Sequence, residues 1–268
     1  MRLAAWGAVL AGAASLSRFA DPAFAIDDAW ISFRTARNLL QHGVLTFDVS
    51  RPPVEGVTNL LWTLLSASWI ALWPDVDPIV AARGVGALLL LASLALAVVL
   101  SGRLAERLDA TPALAAAVTG TLLAGSGTLA FHALSGLETS LFGFLLLLAL
   151  LLLDRALHGE GGAARAGIAL GLLAATRPEG VLVGGLLLGA AAIRPATRPL
   201  ALRAGLPFVL LVAAMEGFRL VAYGALVPNT FAAKPPDPLD GVRYVAEGLL
   251  YGVGLIGPLL VLPVLRRL

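Results

Sequence analysis

The chain has 268 residues, 59% of them hydrophobic and 13% charged, with a mean hydropathy of +0.89. That is far more apolar than an ordinary soluble domain, with about half the charge, and it indicates an integral membrane protein. The net charge of +2 comes from arginines scattered between apolar runs, not from a basic stripe, which excludes nucleic acid as a partner. The absence of cysteine excludes a disulfide framework and any thiolate metal or nucleophile site.

A bilayer span needs about 20 mostly apolar residues. In chain order, spans are expected at residues 3–20, 80–101, 112–131, 139–154, 165–177, 179–193, 204–223 and 244–265. The start of the chain, basic and then apolar with small residues at Ala23–Ala25, also has the features of a secretory signal peptide. Arg18 and Asp21 interrupt that pattern, so residues 1–24 are read as a retained first span. Residues 25–79 then form a first outer loop. Within it, helical spacing begins at Asp28, with Trp30, Phe33, Arg37 and Leu40 on one stripe and Asp27, Ile31, Arg34 and Asn38 on another. This helix is expected to lie on the membrane with Trp30 and Phe33 buried.

The apolar run Thr58–Trp73 resembles a further span, but counting it would put Arg103, Arg155 and the Arg194–Arg203 cluster outside, against the positive-inside rule. It is therefore read as an amphipathic or re-entrant helix on the outer surface, with Trp62, Trp69 and Trp73 anchored among the headgroups. A ninth span is the alternative. With the N-terminus inside, every inner loop is basic: Arg103 and Arg107, Arg155 and Arg165, Arg194 to Arg203, and Arg266 and Arg267. The expected fold is an all-α polytopic transmembrane bundle of about eight spans, one domain over residues 1–268, in contact with the lipid bilayer.

Ionisable residues gather at the opposite, outer face. Asp27 and Asp28 follow the first span, His132 and Glu138 lie in "HALSGLET", Arg177 and Glu179 in "TRPEG", and Asn229, Lys234 and Asp237 in "VPNTFAAKPPDP". Charges at a membrane edge are costly and usually face a cavity or one another. Each also has a plain structural explanation. An Asp before a helix is a good N-cap, Glu138 can cap the next helix, Arg177 and Glu179 can pair, and Lys234 can snorkel. No P-loop, GxSxG, HExxH or paired CxxC occurs, so soluble NTPase, hydrolase and zinc-protease chemistry has no support.

The segment "DDAWISFRTARNLLQHGVLTFDVSRPPVEGVTNLLW", followed in order by "SGLET", "TRPEG" and "VPNTF.AK", resembles the GT-C superfamily of polytopic glycosyltransferases. The branch it is most similar to includes the terminal β-arabinofuranosyltransferases of actinobacterial cell walls. The resemblance covers about Ala25 to Lys234. It implies a polyprenyl-phosphate sugar as donor, a glycan or lipid hydroxyl as acceptor, and a bacterial-type inner (plasma) membrane with the active face outside or periplasmic, in cell-envelope synthesis. The catalytic carboxylate of the first outer loop maps onto Asp27 or Asp28, and the acidic residue of the second onto Glu138. Arg34, Arg37, Arg177, Glu179, Asn229, Lys234 and His132 are the candidates for binding the donor phosphate or substrate. A divalent cation (Mg, Mn or Ca) held by Asp28 and Glu138 is a candidate cofactor, since oxygen ligands suit these ions. Thr35 and Ala232 stand where the family often has Tyr, and relatives continue beyond the equivalent of Leu268, so a truncated member is expected. A transporter or lipid flippase, or an inactive scaffold, is the competing expectation.

Overall fold

Helix-forming apolar runs, separated by Gly, Pro and Asp, dictate the architecture. The computed structural model describes residues 2–17, 26–226, 228–229 and 238–248, and the chain forms two units, Met1–Thr230 and Phe231–Leu268. In the first unit the order is α1 (Arg2–Ser17), α2 (Asp28–His42), α3 (Leu60–Leu72), α4 (Pro78–Arg107), α5 (Pro112–Ala124), α6 (Gly127–Leu134), α7 (Thr139–Leu157), α8 (Ala163–Thr176) and α9 (Glu179–Ile193). A 3-10 turn (Pro195–Thr197) leads into α10 (Arg198–Tyr223). In the second unit the described part is α11 (Pro238–Gly248). Among the described residues there is no strand, so the all-α expectation holds.

Among the described residues, three helical stretches are long and apolar enough to cross a membrane: Pro78–Arg107, Thr139–Leu157 and Pro195–Tyr223. They contain the spans expected at 80–101, 139–154 and 204–223. The span expected at 112–131 is instead the pair α5 and α6, bent by 57°. Gly125 ends α5, and the Ser126 side chain accepts from the Leu129 N–H to start α6, so local capping interrupts a run that hydropathy reads as continuous. The spans expected at 165–177 and 179–193 are the short apolar helices α8 and α9. Of the span expected at 244–265, residues 249–265 lie outside the described residues.

α4 begins where Asp77 caps it, accepting from the Ile79 N–H at 3.1 Å with Pro78 at the first helical position. Thirty residues rise about 45 Å, more than the roughly 30 Å of a hydrocarbon core, and Arg103 and Arg107 lie in the last two turns. There both arginines bond Asp154 at the end of α7, Arg103 through Nε at 2.7 Å, and Arg103 also pairs with Glu160. The opposite end of α4 packs on the turn between α6 and α7: a Cβ at Gly86 would run into the Ala133 carbonyl, and Arg83 donates to the Leu134 carbonyl at 3.2 Å. α4 and α7 therefore run parallel, with α5 and α6 returning between them. The core joins Phe33 of α2, Trp62 of α3, Leu145 of α7, Leu170 and Leu173 of α8 and Phe208 of α10. A second cluster joins Leu16 of α1 to Leu90, Leu94 and Val98 of α4 and Ala116 and Ala124 of α5.

α3 corrects one expectation. Asn59, just before it, bonds Glu138, and Ile79, just after it, lies against Gly136. Both ends of the segment thus lie beside the "SGLET" turn, at the same end of the bundle. Two of the expected headgroup anchors, Trp62 and Trp69, are core residues instead. Trp62 and Trp69 are 1% and 6% exposed, stack edge to face at 5.2 Å, and belong to the core, while Trp73 is exposed. Trp62 is drawn inward because its indole N–H finds the Gly136 carbonyl at 3.0 Å.

Candidate functional site

The α2 end of the bundle collects α2, the following loop, α3, the turn before α7 and the connection between α8 and α9. Asp27 caps α2: its carboxylate accepts from the Asp28 N–H at 3.0 Å. The helix stops at Gly43, whose φ of +73° is the left-handed conformation that glycine adopts freely, with its N–H on the Leu39 carbonyl. Ala29, Ser32, Phe33, Thr35 and Ala36 form the buried face, and Asp27, Asp28, Trp30, Arg34 and Arg37 are exposed. Phe33 is buried in the protein core and not against lipid, and Trp30 is 39% exposed and meets Phe33 edge to face at 5.6 Å.

The buried side of α2 abuts the "SGLET" turn. Gly136 has φ +83°, and a Cβ there would lie 3.1 Å from the Ala29 Cβ, so the turn and the first turn of α2 approach as closely as glycine permits. Two residues on, Glu138 is 5% exposed. Its Oε2 accepts from Asn59 Nδ2 and its Oε1 from Arg177 Nη1, both at 2.8 Å. Asn59 also bonds Ser32 Oγ at 3.0 Å and accepts from Thr63 Oγ1 at 3.1 Å. Arg177 reaches Glu179 at 3.2 Å as well. Burial opposes its charge, but the bonds to Glu179 and Glu138 outweigh that and hold the guanidinium above its ordinary value.

Glu138, Arg177 and Glu179 are thus brought together, with Asn59, Ser32 and Thr63 as partners that the sequence reading did not single out. Asp28 stands one helical turn before Ser32 on the same stripe, so it flanks this network from the solvent side. Its carboxylate has no hydrogen-bond or ion-pair partner among the described residues. On the other side of α2, the Arg34 guanidinium lies 4.3 Å over the Phe47 ring, close to Asp48. Arg37 is exposed without an ion-pair partner among the described residues. His132 is separate: it lies in α6, edge-on to Phe131 at 5.3 Å, with its Nδ1 enclosed and unbonded among the described residues. Asn229 is exposed and joins the site's loop by its backbone, donating to the Glu55 carbonyl at 3.2 Å. Lys234, Ala232 and Asp237 lie outside the described residues.

A second buried charge cluster also escaped the sequence reading. Arg219 of α10 donates from Nε to Glu55 at 2.8 Å and from Nη1 to Glu216 at 2.6 Å, and Arg219 and Glu55 are 5% and 4% exposed. Burial pushes the Glu55 carboxyl up, against the pull of Arg219. Chemically, the α2 end offers the accessible carboxylate of Asp28, the partly exposed guanidinium of Arg177, two more guanidinium groups on the other side of α2, and a buried hydrogen-bond network behind Asp28. As a cation site the pair Asp28 and Glu138 fits poorly. Both Glu138 oxygens are engaged by Asn59 and by a guanidinium, and among the described residues no group of three or more His, Cys, Asp or Glu gathers. In comparisons with protein-family models, curated proteins and solved structures, nothing matches this chain.

Proposed function

We propose that the protein is a membrane glycosyltransferase that moves a sugar from a polyprenyl-phosphate donor to a hydroxyl acceptor at the α2 end of the bundle, with that end facing outside. On this reading α1, α8 and α9 also cross the bilayer, in the GT-C-like arrangement of about eight spans that the sequence suggests. The observation that carries the reading is Asp28: an exposed carboxylate, unpaired among the described residues, beside the buried Glu138–Asn59–Arg177 network at one end of a membrane-helix bundle.

In the proposed reaction Asp28 accepts the proton of the acceptor hydroxyl as its oxygen attacks the anomeric carbon. The bond from that carbon to the phosphate oxygen breaks, and the polyprenyl phosphate leaves with the electron pair. Arg177, part of the network that Asp28 flanks, is the charge-assisted donor that neutralises the departing phosphate, whereas Arg34 and Arg37 lie on the other side of α2. Glu138 is a positioning residue, since it is bonded to Arg177 and Asn59 and fixes the turn against which the start of α2 rests. Asp27 keeps the capping role. No step is routed through a metal ion.

The test is transfer of labelled sugar from a panel of polyprenyl-phosphate sugars in membranes containing the protein. Asp28→Asn should insert normally and lose about 10²-fold or more in kcat, because an amide cannot take the proton. Asp27→Asn should retain most activity, because Asn caps a helix nearly as well as Asp. Undiminished transfer by Asp28→Asn, or no transfer from any donor by the unaltered protein, would overturn the reading.

A further inference from the structure

The loop after α2 is fastened to the last turns of α10 at two side chains: Arg219 holds Glu55, and the Tyr223 hydroxyl donates to the Leu45 carbonyl at 2.6 Å. The Asn229 N–H adds a third tie, to the Glu55 carbonyl. Under the fastened loop lies a cleft of about 310 Å³, lined chiefly by Leu39, Leu45, Leu60, Leu64, Phe218 and Ala222. No charged side chain lines it, and the one polar side chain in the lining, Tyr223, is committed to Leu45. Leu64 and Phe218 are each 42% exposed, and Val221 and Leu210, also exposed, lie within about a quarter turn of Phe218 around α10. α10 belongs to a stretch long and apolar enough to cross a membrane, and on the proposed arrangement the cleft opens beside its lipid-facing surface.

We infer that this cleft holds one acyl chain of a bilayer phospholipid, which braces the loop against α10. The lining selects the chain and not the headgroup. Recognition of a phosphate requires charge-assisted donors, and the nearest guanidinium in the fastening, Arg219, is buried and bonded to two carboxylates. A ligand held by hydrocarbon alone is bound methylene by methylene, and the chains of the surrounding phospholipids are the species at highest concentration beside α10. A volume of this size is at the small end of ligand cavities, which suits one chain and excludes a pair. The inference is independent of the reaction proposed above.

The full chain, in nanodiscs of phosphatidylethanolamine and phosphatidylglycerol carrying a trace of phospholipid with a diazirine in its acyl chain, is irradiated and the adducts are mapped by mass spectrometry. Adducts are expected on residues 39–64 and 218–223. Ala222→Trp fills the cleft and should reduce them about tenfold, as expected from losing the burial of roughly two methylenes. Leu64→Trp fills it from the exposed side and provides the same reading if Ala222→Trp fails to fold. Leu186→Trp on the exposed face of α9 should leave them unchanged. Adducts that persist in both filled variants would overturn the inference. So would labelling of the cleft by a diazirine polyprenyl phosphate in preference to the phospholipid, since the cleft would then belong to a substrate.

Discussion

Asn59 satisfies Ser32, Thr63 and Glu138 with a single amide, and nothing in its neighbourhood in the sequence announces that. It reads as a polar residue before an apolar helix, and its partner Glu138 is 79 positions away. Replacing it by Leu leaves buried acceptors unpaired, at about 1–3 kcal/mol for each stranded group, so Asn59→Leu should melt well below the unaltered protein in detergent. An unchanged melting temperature would show that the network has no structural role. Arg219 and Glu216 escaped the sequence reading too, although two ionisable residues inside an expected span call for partners. What the sequence could not supply was Glu55, from a loop 164 residues earlier. Removing one member of this buried pair should be severe: Arg219→Met alone costs about 3–5 kcal/mol, whereas Arg219→Met with Glu55→Met should recover most of it. Equal losses in the single and double variants would mean that the ion pair is not the cause. Asp27 and Asp28 were legible as a pair but not as individuals. Cap geometry separates them, since one carboxylate is spent on a backbone N–H and the other is not.

At the level of elements, hydropathy located the helices well and misjudged their surroundings. The start of α9 at Glu179 follows directly from "TRPEG", and α4 and α7 extend their expected spans because polar residues continue the helix beyond the hydrocarbon. The bend between α5 and α6 was missed, as a Gly-Ser-Gly interruption changes average hydropathy little while the Ser126 cap redirects the chain. Nothing near Trp62 and Trp69 in the sequence separates an interfacial place from a core one, since an indole suits both a headgroup belt and a core. Partners distant in sequence made the choice. Close helix contacts are where small residues decide. A Cβ at Gly167 of α8 would strike the Ala204 carbonyl of α10, whereas one at Gly205 meets nothing within 4 Å. Gly167→Val should therefore force α8 from α10 and lower the melting temperature sharply, and Gly205→Ala should leave it unchanged or raise it. Comparable melting of the two variants would show that this contact is loose.

For the whole molecule, the described residues sort into two ends. Asp28, Glu138, Arg177 and Glu55 meet at one, and Arg103, Arg107, Asp154 and Glu160 at the other. The proposed function puts the first end outside, the orientation that arginine placement in the sequence suggests. The absence of cysteine makes that orientation testable. An impermeant thiol reagent should label Gln41→Cys in intact cells and Glu106→Cys only after permeabilisation. The reverse pattern would invert the molecule, and labelling of both in intact cells would refute the two-ended arrangement. The unequal helix lengths have a consequence for the lipid itself. α8 is shielded by its neighbours, but α9 exposes Leu182, Leu186 and Ile193, and its 15 residues rise only about 22 Å against a hydrocarbon thickness of about 30 Å. As a span, it would leave a hydrophobic mismatch of about 8 Å on that flank alone, at a fraction of a kcal/mol per Å. The annulus would then pucker beside α9 and stay thick beside α4, and the protein would partition into thinner bilayers with that flank turned toward the thinnest patch.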